Sequence, residues 1–169
     1  MHDDNIAANG IPFYTFLCKI ASRCNLDCDY CYMYHMPDQS WRKQPKRMAP
    51  QVIKQTAKRI REHVQAHNLP EVDITMHGGE PLLVGEKYLR FFLETMQEEI
   101  SLFSHILFGV QTNATLLTPE IVDLFVEKGV TVGISLDGPE HVNDRHRLTL
   151  AGKSSYRSVV EGIDLLSGH

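Results

Sequence analysis

Residues 106–136 read ILFGVQTNATLLTPEIVDLFVEKGVTVGISL, and this stretch decides the fold. Ile106 to Thr112 is rich in β-branched and aromatic residues, the signature of a strand. A helix start follows, with Thr118 suited to cap the free N–H groups and Pro119 at the first helical position, where its missing N–H costs nothing. Gly129 marks the helix end, because a left-handed residue commonly terminates a helix and glycine adopts that conformation freely. Val130 to Leu136 is again a strand, so the stretch spells one strand-helix-strand unit.

The same alternation extends in both directions. Phe13 to Ile20 reads as a strand, and Val52, Ile53, Ala57, Ile60 and Val64 follow at helical spacing. Val72 to Met76 is a short strand, followed by a helix over 87–100 whose inner face is Leu89, Leu93, Met96 and Ile100. Beyond residue 136 a helix is expected with Val159, Ile163 and Leu166 inward; Gly162 within it weakens it by up to about 1 kcal/mol. Four consecutive β-α units predict an α/β protein with a parallel sheet, either open and doubly wound or an arc of a barrel. In both arrangements the chemistry collects at the C-terminal ends of the strands.

The 169 residues suffice for one domain with a core, expected over residues 13–169 behind a tail at 1–12. With 43% hydrophobic and 22% charged residues, the composition is that of a globular chain. A formal net charge of -4 gives no overall pull towards nucleic acid or anionic lipid, so neither is expected as a partner. No apolar run reaches the ~18–20 residues of a membrane span, and Met1-His-Asp-Asp4 lacks the order of an export signal. The expected compartment is therefore the cytoplasm, where cysteines serve metal or redox chemistry more than disulfides. Trp41 to Arg47 reads as a solvated basic loop, with a phosphate patch as its alternative.

The unusual text stands at the four strand ends: SRCNLDCDYCY (22–32), HGGEP (77–81), QTN (111–113) and SLDGP (135–139). Cys24, Cys28 and Cys31 are soft ligands in one compact loop, spaced for a metal group. Three thiolates on a cubane cluster leave one iron open, whereas His35 would complete a four-ligand zinc site; spacing alone permits both. Gly78 and Gly79 let something approach the backbone closely, either a ligand or a tight turn. Glu80 is a supporting carboxylate or a helix-entry acid, and Asn113 and Ser135 offer small hydrogen-bonding groups. Cys18, on the first strand, reads as a buried small apolar residue.

Taken in order, the Cys24-x3-Cys28-x-Tyr30-Cys31 loop with Lys19 and Ser22 ahead of it, HGGEPLL (77–83), QTNATLL (111–117) and GISLDGP (133–139) resemble the radical S-adenosylmethionine superfamily. Within it the chain looks like the SPASM-type peptide and protein maturases. The opening through Asp38-Gln-Ser-Trp-Arg-Lys-Gln-Pro45 is most similar to cyclophane-forming maturases, and the whole also resembles anaerobic sulfatase maturases.

That resemblance implies a partial (β/α)6 barrel of which this chain supplies about four units. It implies a [4Fe–4S] cluster on Cys24, Cys28 and Cys31, and S-adenosylmethionine chelating the fourth iron. Tyr30 would lie by the adenine and Gly79, beside Gly78 and Glu80, would receive the amino group. Asn113 and Ser135 would contact the cofactor, and Arg147 would pair with its carboxylate. One-electron cleavage would then give a 5′-deoxyadenosyl radical that removes a hydrogen atom from a ribosomal precursor peptide or protein. A low-potential donor such as flavodoxin or ferredoxin would supply the electron. The chain departs from the pattern at Ala114, where the family often has glycine. It also ends at His169 before the later strands and the cysteine-rich region, which leaves a sheet edge to cover and predicts poor solubility or a need for partners.

Overall fold

The computed structural model describes residues 10–168; the first nine residues of the expected N-terminal tail lie outside it. Four strands alternate with helices: β1 (Thr15–Ala21), α1 (Pro50–His67), β2 (Glu71–Gly78), α2 (Glu86–Ile100), β3 (His105–Thr112), α3 (Pro119–Lys128) and β4 (Thr131–Ile134). A short α4 (Glu140–Asn143) and the longer α5 (Tyr156–Ser167) follow. Single 3-10 turns occupy Ser40–Lys43 and Pro81–Val84.

All three strand pairings are parallel and the spatial order is β1-β2-β3-β4. A doubly wound sheet reverses its strand order at a switch point; here the order runs on without reversal, which is the arrangement of a barrel arc. β1, β2 and β3 each have a covered and a more open face. On β2, Val72, Ile74 and Met76 are buried while Asp73, Thr75 and His77 between them are only partly so. The helices supply the cover: Ile53, Ala57, Ile60 and Val64 from α1, Leu89, Phe92, Leu93 and Met96 from α2, and Ile121, Val122, Leu124 and Phe125 from α3 are buried. Cys18 is buried among them, as its place on the first strand suggests.

The caps follow their chemistry. The Thr118 side chain accepts the Ile121 N–H, Pro119 opens α3, and Gly129 ends it in the left-handed region at φ 62. Three expectations need correction. Val52 is 49% exposed, because it sits one residue off the Ile53-Ala57-Ile60-Val64 stripe and thus about 100° around the helix. Phe13 and Tyr14 precede β1 and are exposed, while the strand runs on to Ala21. Gly162 is not simply a weak point in α5: a Cβ there would stand 2.4 Å from the Ala114 carbonyl oxygen, so the helix packs by lacking one.

Candidate functional site

The long loop after β1 carries the cysteines back across the C-terminal ends of the strands. Its local shape comes from short-range bonds: the Cys31 N–H donates to the Cys28 carbonyl at 2.9 Å, and the His35 N–H to the Cys31 carbonyl at 2.9 Å. Arg23 fastens the loop to the 3-10 turn by donating to the Trp41 carbonyl at 2.9 Å, and it also bonds the neighbouring Ser22 carbonyl at 2.9 Å. Its guanidinium lies over the Trp41 ring, which meets Tyr34 edge-on. Residues 42–47 of the basic stretch are exposed, as expected of a solvated loop, while Trp41 at its head is half-buried and clamps the cysteine loop.

Cys24, Cys28 and Cys31 are all free, half-buried thiols lining one cleft of about 200 Å3. Tyr30, Gly78, Gly79, Asn113, Ser135 and Arg147 line the same cleft, so residues from all four strand ends meet there. A neighbouring groove of about 540 Å3 shares Tyr32 and Met33 with it and runs out to Trp41 and Val52. Burial pushes the Cys24 thiol up to about 11 and raises that of Cys28, so metal binding here has to displace protons. The Cys24 sulfur faces two donors, the Leu26 N–H at 3.4 Å and the Asn113 amide at 3.8 Å.

Glu80 differs from the other residues singled out in the sequence, since it lies beneath the cleft and does not line it. It is fully buried; Oε1 accepts from the Leu82 N–H at 2.9 Å and the Thr112 hydroxyl at 2.7 Å, and Oε2 from the Asn113 N–H at 2.8 Å. Burial raises its carboxyl above the usual value while these three donors pull it down. The carboxylate thereby joins the β2 loop to the β3 loop and sets Asn113. The Asn113 side chain in turn reaches Asn25 at 2.9 Å and accepts from the Thr115 hydroxyl at 2.7 Å.

The two glycines have a nearer reason than a ligand. A Cβ on Gly78 would stand 2.0 Å from the Ala21 carbonyl oxygen, and one on Gly79 2.4 Å from that of Arg23. The Gly79 and Glu80 N–H groups donate to these same carbonyls at 3.1 and 2.9 Å. What approaches so closely is the chain's own cysteine loop, which the pair allows to pack directly on β2. Ala114 does adopt φ 60, the left-handed conformation for which glycine is the usual choice.

Sequence reading passed over Gln111 and Asp137 as individual residues. Gln111 donates to the Ser135 hydroxyl at 2.9 Å and lines the cleft; its parity with Gly109, on the half-open face of β3, was the available signal. Asp137 accepts from the Tyr30 hydroxyl at 2.5 Å, a contact 107 residues apart in sequence and without a local signature.

Two tests bear on what the cleft is built to hold. Among the described residues no three His, Cys, Asp or Glu side chains converge as a single-ion site, and His35, required for a four-ligand zinc site, instead bonds Asp27 at 2.9 Å. A cluster takes its thiolates on separate irons and needs no such convergence. Two buried polar atoms bordering the cleft, the Tyr34 hydroxyl and Arg147 Nε, have no hydrogen-bond partner. Buried polar groups are rarely left so, and two at one cleft beside three thiols fit a polar ligand that carries hydrogen-bond acceptors such as a carboxylate.

Known proteins resemble this chain over most of its length. A serine-type anaerobic sulfatase-maturating enzyme of Bacteroides thetaiotaomicron is 34% identical over 94% of this chain and 37% of its own length. A cysteine-type counterpart from Clostridium novyi is 30% identical over 87% of this chain and 38% of its own length. The solved structure of native anSMEcpe with bound AdoMet superposes with a TM-score of 0.79 at 26% identity, covering 91% of this chain and 41% of that one. The chain therefore spans about two fifths of the length of these relatives. The family model of the Radical SAM superfamily matches residues 18–169, and the chain belongs to that superfamily.

Proposed function

We propose that this chain is the S-adenosylmethionine-cleaving part of a peptide or protein maturase. The observation that supports it most is the meeting of three free thiols with Gly79, Asn113, Ser135 and the unpartnered Nε of Arg147 around one cleft at the strand ends. In this reading Cys24, Cys28 and Cys31 would hold a [4Fe–4S] cluster, which would leave a position open for S-adenosylmethionine. Gly79 offers backbone to the amino group, Arg147 meets the carboxylate through its planar fork, and Asn113, Ser135 and the Tyr30 ring face the nucleoside. Glu80 acts through Asn113 and Thr112 rather than on the cofactor. Together the two groups supply one-electron cleavage of a sulfonium and removal of a hydrogen atom from an unactivated carbon.

The substrate on this reading is a ribosomal peptide or a protein, and the electron comes from a small low-potential donor such as flavodoxin or ferredoxin. A reducing, cytoplasmic setting goes with it, since the thiols must stay free for iron; among the described residues no helix is long and apolar enough to cross a membrane. The likeness to serine-type and cysteine-type sulfatase-maturating enzymes supports, as a second reading beside the joining of two side chains, action on a serine or cysteine side chain.

The test is reduction of the anaerobically reconstituted chain with S-adenosylmethionine. Formation of 5′-deoxyadenosine, abolished by Cys24→Ala, is the expected result; none from a chain with an intact cluster would contradict it. With serine- and cysteine-containing peptides, a hydrazine-reactive aldehyde marks the sulfatase-type outcome and a cross-linked peptide without one marks the other.

A further inference from the structure

Arg147 is 8% exposed, and its main chain is fixed on both sides: its N–H donates to the Asn143 carbonyl at 2.9 Å and its carbonyl accepts the Ser155 hydroxyl at 2.5 Å. One terminal nitrogen of its guanidinium donates to the Tyr30 oxygen at 2.7 Å. The Tyr30 O–H donates onward to Asp137 Oδ2 at 2.5 Å, while Asp137 Oδ1 lies 3.8 Å from the same Arg147 nitrogen. The hydroxyl thus accepts one bond and donates one, and Nε alone is buried without a partner.

We propose that Tyr30 and Asp137 are positioning residues that hold the Arg147 guanidinium so that its Nε donor stays available to the carboxylate of the bound cofactor. This rests on the function proposed above and deepens it. An arginine fork binds a carboxylate well only when its plane is set, and fixing that plane beforehand reduces the ordering cost of binding. Tyr30 also stands between Cys28 and Cys31, so its hydroxyl ties the thiol loop to Asp137 in the loop after β4 and to Arg147 after α4, across 107 and 117 residues of sequence. The same residue then serves two ends of the ligand, its ring the adenine and its hydroxyl, through Arg147, the carboxylate.

The hydroxyl is separable from the ring. In the cluster-loaded full chain, binding of S-adenosylmethionine and of its decarboxylated analogue is measured by equilibrium dialysis, with visible absorbance and the thermal transition checking that each variant keeps cluster and fold. Tyr30→Phe weakens S-adenosylmethionine roughly tenfold, the worth of one charge-assisted hydrogen bond, and leaves the decarboxylated analogue within about twofold. Asp137→Asn produces the same selective loss, and combining it with Tyr30→Phe adds little. Unchanged affinity in both variants, or equal weakening of the two ligands, overturns the proposal while leaving the proposed function standing. A native chain that binds neither ligand overturns both.

Discussion

Glu80 and Asp137 are both carboxylates at strand ends, but they hold the site in opposite ways. Glu80 is fully buried and bonds two backbone N–H groups and a threonine hydroxyl, so it fixes the main chain between β2 and β3. Asp137, with its side chain 33% exposed, bonds a tyrosine that itself stands on the cysteine loop, and so fixes only side chains between β1 and β4. At the centre of the sheet a buried carboxylate fixes the main chain, and the two edges are joined through side chains that stay partly exposed. Stability and ligand selectivity should therefore separate between these two carboxylates.

The largest effect tests the buried carboxylate. Glu80→Ala leaves three buried donors without an acceptor and is expected to cost about 4 kcal/mol, read as a lower urea midpoint. A loss no larger than that of Asp137→Ala, expected at about 1 kcal/mol or less on its partly exposed bonds, would break the comparison. Gly79→Ala comes next: its methyl meets the Arg23 carbonyl at 2.4 Å and the Tyr34 hydroxyl, so the thiol loop must move. The expected cost is about 2 kcal/mol together with reduced iron uptake at equal protein folding, measured by iron analysis.

Gly162→Ala is smaller and decides a sign. Alanine gains up to about 1 kcal/mol of helix propensity, but here its Cβ would press on Ala114 at the end of the QTN segment, so a net loss of about 1 kcal/mol is expected in thermal unfolding. A stabilised variant would show that this contact relaxes freely. Arg157→Ala removes a solvent-exposed pair with Glu161 on α5 and should change the urea midpoint by less than about 0.5 kcal/mol, the level expected away from the site.

The repeat of strands and helices was legible because it depends on local period and caps: Thr118, Pro119 and Gly129 do what their side chains and backbones dictate in any context. The choice between an open sheet and a barrel arc could not come from local period, because it depends on strand order, which no single segment encodes; it came from the resemblance carried by the four strand-end motifs, and the strand order bears it out. The thiol loop was legible as text, and the structure gathers it with residues from the other three strand ends. The reasons for Gly78 and Gly79 were read too narrowly, since close approach by the chain's own Ala21 and Arg23 leaves the same mark as approach by a ligand. Trp41 and Asp137 stand in stretches the sequence singles out, but their individual roles exist only through Arg23, Tyr34 and Tyr30, brought to them by the fold.

The most direct measurement of the central claim is metal and sulfide analysis of the full chain after anaerobic reconstitution. The account predicts about four iron and four sulfide per chain with broad visible absorbance, lost on replacing any one of Cys24, Cys28 or Cys31 by alanine. A chain that takes up one tightly held zinc ion and no sulfide would contradict it.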